Sequence, residues 1–493
     1  MRTLNIIALF GFLSLLFTAC EGYLDKSPLE DVSSASISTE SDAIAVVNGA
    51  YQPLQWPKLY NMRVWTLDIA AGNSVTGGGG GTDGAETTDL ANFVTATDNA
   101  AALDIWRGPS PGILRCNLAL KTIPGLDIDQ DIKDRCIGEA KFLRGLYYFI
   151  LVRLFGDVPL ITEPQNPGDD LQPARTAKEE VYALIVQDLK DAIELLPVRE
   201  DYEGSDIGRA SKGSACGLLA KVYLTLENYT EAEHWCKEVT ALGYTLNPDY
   251  SDNFDPDNKN TEESLFEIQY YGHTSAGFWD NDNQSCWLST YMGPRNSSFV
   301  AGAYGWNQPT EEFVRSYEAG DLRKDKTILY QGCPPFAGLK YLASYSNTGY
   351  NIRKFLVPKS ISEDYNTNYA NVTVLRYADV LLMEAEALNE QGKTAEAETP
   401  LYEVRKRAGL TNRDDIAGLT KAEMKDKIIH ERRIELAFEG HRWFDMIRID
   451  DGAYALNFLH SINKVNAAQK HLLFPIPQRE IDANPNLVQN PGY

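Results

Sequence analysis

Two segments of this chain repeat the same spacing of small residues, and that spacing limits the folds open to it. In the first segment, Ala220 and Ala232 are twelve residues apart, with a polar break at Asn228. In the second, Ala385 and Ala397 are also twelve residues apart. Small residues at this spacing let two antiparallel helices approach closely. The sequence therefore predicts a mainly α-helical fold assembled from helix pairs.

A third helix pair is predicted nearer the N-terminus, with a long insertion between its helices. Residues 139–155 are typical of a buried helix that Gly156 ends. The next helix is predicted to begin at Thr176, with a capping box to Glu179, and to end at Pro197. Three such pairs indicate tetratricopeptide-like packing, and the alternative is a set of unrelated amphipathic helices.

Other parts of the chain do not follow the helical repeat. Residues 71–99 include five consecutive glycines and no Lys or Arg, which predicts a flexible loop. Residues 243–370 are rich in Gly, Asn, Ser, Pro and aromatics, and residues 265–270 alternate as a short strand does. Residues 421–449 are predicted to be helical again. We therefore expect long irregular loops and a few short β-strands beside the helix pairs.

The first twenty residues have the features of an export signal. Arg2 is followed by an apolar run over residues 4–17, which is shorter than the ~20 residues that span a bilayer. Small residues stand just before Cys20, as at a signal cleavage site. We expect residues 1–19 to be a lipoprotein signal peptide and Cys20 to receive the lipid anchor. The alternative is an ordinary signal peptide with an incidental cysteine.

The remaining chain, residues 20–493, is predicted to be one domain. Helix pairs are expected in an N-terminal part, about 20–245, and irregular ligand-site loops with a further helix pair in a C-terminal part, about 246–493. Six cysteines remain and none forms a CxxC pair, so we expect most of these cysteines to be buried and to act as small hydrophobic side chains. They are Cys116, Cys136, Cys216, Cys236, Cys286 and Cys333.

The charge of the chain excludes some partners. Its 46 Lys and Arg against 69 Asp and Glu give a formal charge of −23, or −24 once Arg2 leaves with the signal peptide. Nucleic-acid binding needs a surplus of basic residues, and adhesion to anionic lipid needs a basic surface. We therefore expect no nucleic-acid partner, a membrane contact through the lipid only, and a neutral ligand.

Motifs of catalysis and metal binding are missing from the sequence. It has no HExxH, GxSxG, Walker loop or Rossmann fingerprint. His430 and His441 are eleven residues apart on a predicted helix, too far to share one zinc ion. The acidic residues 249–257 match a calcium loop only loosely. We predict no catalytic residues, no metal and no cofactor.

Aromatic residues are concentrated in one segment. Nine of the 37 residues from Tyr270 to Trp306 are aromatic, and Asp280, Asp282 and Arg295 are the charged ones. Sugar rings pack their flat C–H faces on Trp and Tyr, while polar side chains bind the hydroxyls. This composition favours a glycan-binding loop. The alternative is that most of these rings fill a core under long loops.

Three motifs carry a resemblance to a known family. The first is EAKFLRGLYYF at 139–149, which continues into LFGDVPL at 154–160. The second is ERRIELAFEGHRWFD at 431–445, and the third is the C-terminal NPNLVQNPGY at 484–493. With these motifs the chain resembles the SusD/RagB family of outer-membrane nutrient-binding lipoproteins over nearly its whole length.

The resemblance implies a SusD-like fold on tetratricopeptide pairs and a non-enzymatic role. It also implies a partner, a SusC-like TonB-dependent transporter that the lipoprotein covers as a lid at the cell exterior. The charged residues of 431–445 are expected to be structural, with Arg432, Arg433 and Arg442 pairing locally with acids such as Glu431 and Glu435.

Ligand residues of this family lie on variable loops, so the candidates rest on residue chemistry. We predict that stacking rings come from the aromatic segment and that polar contacts come from it and from the 71–99 loop. The rings are Trp279, Trp287, Tyr291 and Trp306, and the polar residues are Asn73, Asp83, Asp280, Asn283 and Arg295.

The leading hypothesis is a surface lipoprotein that binds an oligo- or polysaccharide and delivers it to the transporter. Three alternatives remain at the level of sequence. They are a binder of peptides or other nutrients in the same kind of complex, an exported glycoside hydrolase or lyase, and a helical scaffold for envelope assembly.

Overall fold

The computed structural model describes residues 37–78, 83–165, 168–273, 275–277, 280–281 and 283–493. Cys20 and Trp279 lie outside these residues. The described chain is mainly helical. Its helices are α1 Glu40–Tyr51, α2 Thr66–Ala70, α3 Ala85–Ala91, α4 Ala100–Arg107, α5 Ser110–Thr122, α6 Gln130–Phe155, α7 Lys178–Leu195, α8 Lys212–Thr225, α9 Tyr229–Ala241, α10 Leu288–Met292, α11 Glu311–Arg315, α12 Arg323–Thr327, α13 Tyr377–Glu390, α14 Thr394–Arg407, α15 Lys421–Glu435, α16 Arg442–Arg448, α17 Ala453–Ser461 and α18 Gln478–Ala483.

Six short strands pair two by two in antiparallel fashion. β1 pairs with β3, β2 with β6 and β4 with β5. The strands are β1 Ser74–Thr76, β2 Ser264–Ile268, β3 Asn307–Pro309, β4 Ile328–Leu329, β5 Asn351–Ile352 and β6 Val372–Arg376. β1 and β3 matter most for the site, because their register places Thr76 opposite Asn307 and so joins the glycine-rich loop to the aromatic segment.

The helix pairs predicted from the alanine spacing are confirmed. α8 packs against α9, and α13 packs against α14. Ala220, Ala232, Ala385 and Ala397 all have no exposed surface, as expected of small residues between packed helices. The twelve-residue spacing therefore predicted the contact as well as the helices.

The third pair is also present, with different helix starts. α6 begins at Gln130, nine residues before the predicted start, and ends at Phe155, where Gly156 adopts a φ of +71°. α7 begins at Lys178 and not at Thr176, so the predicted capping box is wrong. Thr176 instead forms a backbone bridge with Val158, and Asp157 caps the helix by accepting a hydrogen bond from the Lys178 N–H.

The longer helices form one continuous array. Contacts run from α1 to α5, then through α6, α7, α8 and α9 to α13, and from α13 to both α14 and α15. One hydrophobic core extends along most of this array and continues under the irregular segments. The array is thus a scaffold on which the loops of residues 71–99 and 243–370 are held.

Two other sequence expectations need correction. Residues 71–99 are not one continuous loop, since they contain β1 and α3. The helix predicted over 421–449 is interrupted between α15 and α16, where Phe438 and Gly440 have φ values of +66° and +79°. A left-handed backbone cannot continue an α-helix.

The expected local pairing within 431–445 is confirmed only for Arg432. Arg432 forms one ion pair with Asp445 inside this segment and another with Asp379 outside it, while Arg433 forms one with Glu312. Arg442 donates to the Tyr454 hydroxyl at 2.8 Å. These side chains are buried against other elements of the fold, so most of their partners are residues distant in sequence.

The acids of this motif form a buried cluster with distant basic residues. Glu435 is paired with Arg323, Arg376 and Arg407, and Glu431 with Arg323 and Arg405. All of these side chains are less than 5% exposed. A buried charge is tolerated only with partners of opposite sign, so the cluster holds α15 against α12, α14 and β6.

All six described cysteines are buried and free, as expected of small hydrophobes. Among the described residues, none of the helices combines the length and the apolar character that crossing a bilayer requires.

Candidate functional site

Three aromatic rings form a stacked column at the edge of the aromatic segment. The ring centroids of Tyr291 and Trp306 are 5.1 Å apart at 21°, and those of Tyr304 and Trp306 are 5.2 Å apart at 24°. Tyr291 has no exposed surface, whereas Tyr304 and Trp306 are half-buried. Trp306 and Tyr304 therefore carry the column from the core to the surface.

Backbone hydrogen bonds fix the position of this column. The Trp306 N–H donates to the Tyr291 carbonyl at 2.7 Å, and the Tyr304 N–H donates to the Thr290 carbonyl at 2.8 Å. The segment therefore runs along α10 and enters β3 directly after Trp306. Gly305 between the two rings has a φ of +63°, so the chain turns there and brings Tyr304 onto Trp306.

The buried rings Trp287 and Tyr291 support the column from below. Trp287 contacts Tyr291 and Tyr365 edge-on, with centroid distances of 6.4 and 5.8 Å. Its backbone N–H donates to Asn61 Oδ1 at 2.7 Å, and its side chain has no exposed surface. Burial also raises the pKa of Tyr291 well above its usual value, so its hydroxyl stays neutral. Neither ring presents a face to solvent, which differs from the stacking role expected from the sequence.

An ion pair lies beside the column and joins the two segments that were expected to meet. Arg295 Nη1 donates to Asp83 Oδ2 at 2.8 Å, and the two side chains are 37% and 31% exposed. Arg295 Nη1 also lies 3.4 Å from the Tyr304 carbonyl. The structure thus brings together Asp83, Arg295 and Trp306, with Tyr304 added to them.

Gly78 explains how the glycine-rich loop reaches this point. A Cβ at Gly78 would lie 2.9 Å from Arg295 Nη1, from Asp83 Oδ2 and from Trp306 Cδ1, and its φ is +90°. Any larger residue would push the ion pair and the ring apart. The Gly77 N–H donates to the Trp306 carbonyl at 2.9 Å, which extends the β1–β3 pairing into the loop.

The other polar candidates lie elsewhere. Asn73 is fully buried and its Oδ1 accepts from Arg433 Nε at 2.8 Å, so it links β1 to α15. Asn283 is buried and its Oδ1 accepts the Ser285 N–H at 2.7 Å. Asp280 is exposed and accepts the Gly277 N–H at 2.7 Å. Asn73 and Asn283 therefore shape the backbone around the site.

Tyr304 and Gly78 belong to the site but were not predicted from the sequence. Tyr304 could have been found from its residue type, because it is one of the nine aromatic residues from Tyr270 to Trp306. Gly78 is one of five consecutive glycines, and nothing in that run distinguishes it. Within the described ranges, no group of three or more His, Cys, Asp or Glu side chains is placed to hold a metal ion.

A helical-repeat scaffold that carries a surface aromatic column beside a polar pair defines a non-covalent binding protein. Comparison with known proteins agrees with this class. Residues 237–493 match the model of the SusD family, and residues 22–224 match a family described as starch-binding and associating with the outer membrane. The chain belongs to the SusD family, whose members are glycan-binding proteins associated with the outer membrane.

Individual relatives cover nearly the whole chain. It is 29% identical over 515 residues to SusD-like protein P2 of Formosa agariphila. The alignment covers 98% of this chain and 99% of the relative. A solved laminarin-binding SusD-like protein is 31% identical with a TM-score of 0.81, covering 92% of this chain and 100% of that one. Surface glycan-binding protein A of Bacteroides thetaiotaomicron, solved with laminarihexaose, shares the fold at 24% identity and a TM-score of 0.77, covering 92% of this chain and 100% of that one.

Proposed function

We propose that this chain is a lipid-anchored protein of the outer membrane that binds an oligo- or polysaccharide and passes it to a SusC-like TonB-dependent transporter. The observation that carries the proposal is the aromatic column, which reaches the surface at Trp306 and Tyr304 beside the Asp83–Arg295 pair. Aromatic rings at a protein surface pack against the C–H faces of sugar rings, and the ion pair offers donors and an acceptor to their hydroxyls.

The charges around the column favour a neutral ligand. Arg295 is already compensated by Asp83, so binding a neutral sugar keeps the pair intact. An anionic polymer would have to compete with Asp83 for the guanidinium and approach a chain of net charge −23. The laminarin-binding relative supports the same ligand class and makes laminarin and laminarihexaose the first probes.

Trp279 and Asp280 remain candidates for further contacts, because the aromatic segment also contains them and their side chains suit stacking and hydrogen bonding. In this proposal Trp287, Tyr291, Asn73 and Asn283 act indirectly, by holding the column and the loop in place.

Affinity electrophoresis and calorimetry with the full chain test the ligand class. Laminarin, starch and further neutral glycans are compared with peptide mixtures. Binding of at least one glycan is expected, while tight binding of peptides with none of any glycan would overturn the assignment. Incubation with each bound glycan should release no reducing ends, since relatives of the chain are binding proteins, and sustained release would indicate a hydrolase.

The anchor and the partner need separate tests. We expect mass spectrometry of the membrane-extracted protein to show a lipidated N-terminal Cys20, and C20A to release the protein from membranes. Affinity purification of the anchored protein should recover a TonB-dependent transporter. Recovery of a barrel-assembly complex in its place would favour the scaffold alternative.

A further inference from the structure

A cavity lies apart from the aromatic column, and none of the three rings of the column lines it. Its volume is about 440 Å³, which falls within the ~300–1,000 Å³ of typical small-molecule sites. It opens between the end of α1, the loop around Ile207 and the end of β2. Gln284 lines the cavity, and Trp287 follows it by three residues in the core of the ring cluster.

The lining of this cavity combines rings with side-chain amides. Tyr51 and Phe266 both line it, with their ring centroids 6.4 Å apart. Five carboxamides surround the two rings, and an amide can both donate to and accept from a hydroxyl. These amides are Asn48, Gln52, Gln55, Gln269 and Gln284.

Four of these amides keep hydrogen-bonding groups available. Gln52 Oε1 accepts from Arg115, so the Nε2 group of Gln52 is still available as a donor. Gln55 Nε2 donates to the Gln269 carbonyl, so the Oε1 atom of Gln55 is still available as an acceptor. Asn48 Oδ1 accepts from Arg209, and Gln284 Oε1 is within 3.3 Å of Gln55 Nε2, so the NH₂ groups of both remain. Among the described residues, none of these four remaining groups has a protein partner.

The two charged side chains at the cavity are already compensated. Arg209 donates to Glu139, Asp206 and Asn48. Glu267 accepts from the Asn371 side chain and from the Asn260 N–H, and burial raises its pKa. The cavity therefore offers amide donors and acceptors and aromatic surface, with no uncompensated charge to attract an ion.

We propose that this cavity is a second subsite for a neutral saccharide, separate from the column at Trp306. Its residues recognise hydroxyls through Gln52, Gln55 and Gln284 and place a sugar ring against Tyr51. The inference rests on the proposed function for its ligand class, but it uses different residues.

Calorimetry of the full chain with laminarihexaose tests this inference, with maltohexaose as the second probe. The double variant Q52A/Q284A removes two amide groups from the cavity, and W306A removes the middle ring of the column. Q187A is the matched control, since Gln187 is an exposed helix amide that donates to Asp191 and does not line the cavity. Circular dichroism establishes that each variant is folded.

Two binding sites per chain are expected for the parent and for Q187A, and one for each of the other variants. A single site that W306A removes and Q52A/Q284A leaves unchanged overturns the second subsite and keeps the proposed function. A single site that Q52A/Q284A removes and W306A leaves unchanged supports the cavity and overturns the role of the column. No binding of either probe by the parent overturns the cavity as a site for these sugars, while the wider glycan panel still decides the proposed function.

Discussion

Asp83 and Arg295 are 212 positions apart in the sequence and are joined by a 2.8 Å hydrogen bond between Oδ2 and Nη1. This bond connects the glycine-rich loop to the aromatic segment beside Trp306. The pair is formed because β1 and β3 align the two segments and because Gly78 leaves room for both side chains. Its partial exposure leaves polar atoms accessible to a ligand.

Replacing Arg295 should weaken glycan binding more than it weakens the fold. R295A removes a charged hydrogen-bond donor at the column, and such bonds contribute about 1.5–3 kcal/mol, or roughly 10- to 150-fold in affinity. The free energy of unfolding should fall by less than ~1 kcal/mol, because the ion pair is about one third exposed. Calorimetry and urea denaturation measure the two effects. R315A, which breaks the exposed Arg315–Glu311 pair, should leave affinity unchanged; equal affinity losses in both variants would contradict a role for Arg295.

Replacing Trp306 should weaken glycan binding, because Trp306 is the middle ring of the column and holds Tyr304 in place. W306A is expected to lower glycan affinity by about 1.5–3 kcal/mol, the contribution of one large apolar side chain. W235A is the matched control, because Trp235 is also half-buried but lies on α9, in the helix array. Retained affinity in a folded W306A protein would rule out the column as the binding surface.

The buried charge cluster should matter for stability and not for binding. E435A leaves Arg323, Arg376 and Arg407 without their shared carboxylate, and breaking a buried pair costs about 3–5 kcal/mol. The exposed Glu403 on α14 provides the comparison, and E403A should stay within ~0.5 kcal/mol of the parent. Denaturant unfolding measures both, and a loss below ~1 kcal/mol for E435A would contradict the structural role.

Acid should destabilise the fold through the same region. Burial raises the pKa of Glu439, but Arg376 and Lys354 outweigh it and hold the pKa at about 2, below the usual 4.5. The stability contributed by this depressed pKa is fully present above pH 4.5 and is lost as the pH falls through about 2. Unfolding midpoints in urea from pH 7 to pH 2 should therefore decrease, and the decrease should be smaller in E439Q. A parallel decrease in both proteins would exclude Glu439 as a cause.

Asp68 should act in the opposite direction. Burial on α2 raises its pKa from 3.8 to about 8, so the folded chain retains a proton that the unfolded chain releases. Its stability contribution is complete below pH 3.8 and is lost as the pH rises through about 8, at up to ~1.4 kcal/mol per pH unit. D68N, which stays neutral, should thus gain stability over the parent between pH 4 and pH 8. The exposed-site variant D414N should show no such trend, and a constant difference between D68N and the parent at all pH values would contradict the prediction.

The sequence predicted the scaffold well because helix pairing depends on local spacing. Ala220 on α8 and Ala232 on α9 are fully buried, and the motif at 139–149 lies within α6. Helix ends were less predictable. The N-terminal cap of α7 comes from Asp157, which is 21 residues away from the amide that it caps, and no capping box in the local sequence could indicate it.

The sequence predicted some of the residues that form the site, but not which of the candidates are buried and which are exposed. Residue chemistry indicated that Asp83, Arg295 and Trp306 belong to a ligand surface, and the structure brings these three together. The same reasoning also selected Trp287 and Asn73, which are buried. Aromatic and amide side chains serve a core as readily as a surface, so residue type alone cannot separate the two.

By itself, the sequence determined the helical-repeat scaffold and the segments that carry aromatic rings, because periodicity and composition are local or additive properties. Only the tertiary structure decided which rings reach solvent, that Gly78 allows the ion pair to close beside Trp306, and that Glu435 finds its partners on α12, α14 and β6. These features depend on contacts between residues far apart in the chain, which the packing of the whole fold sets.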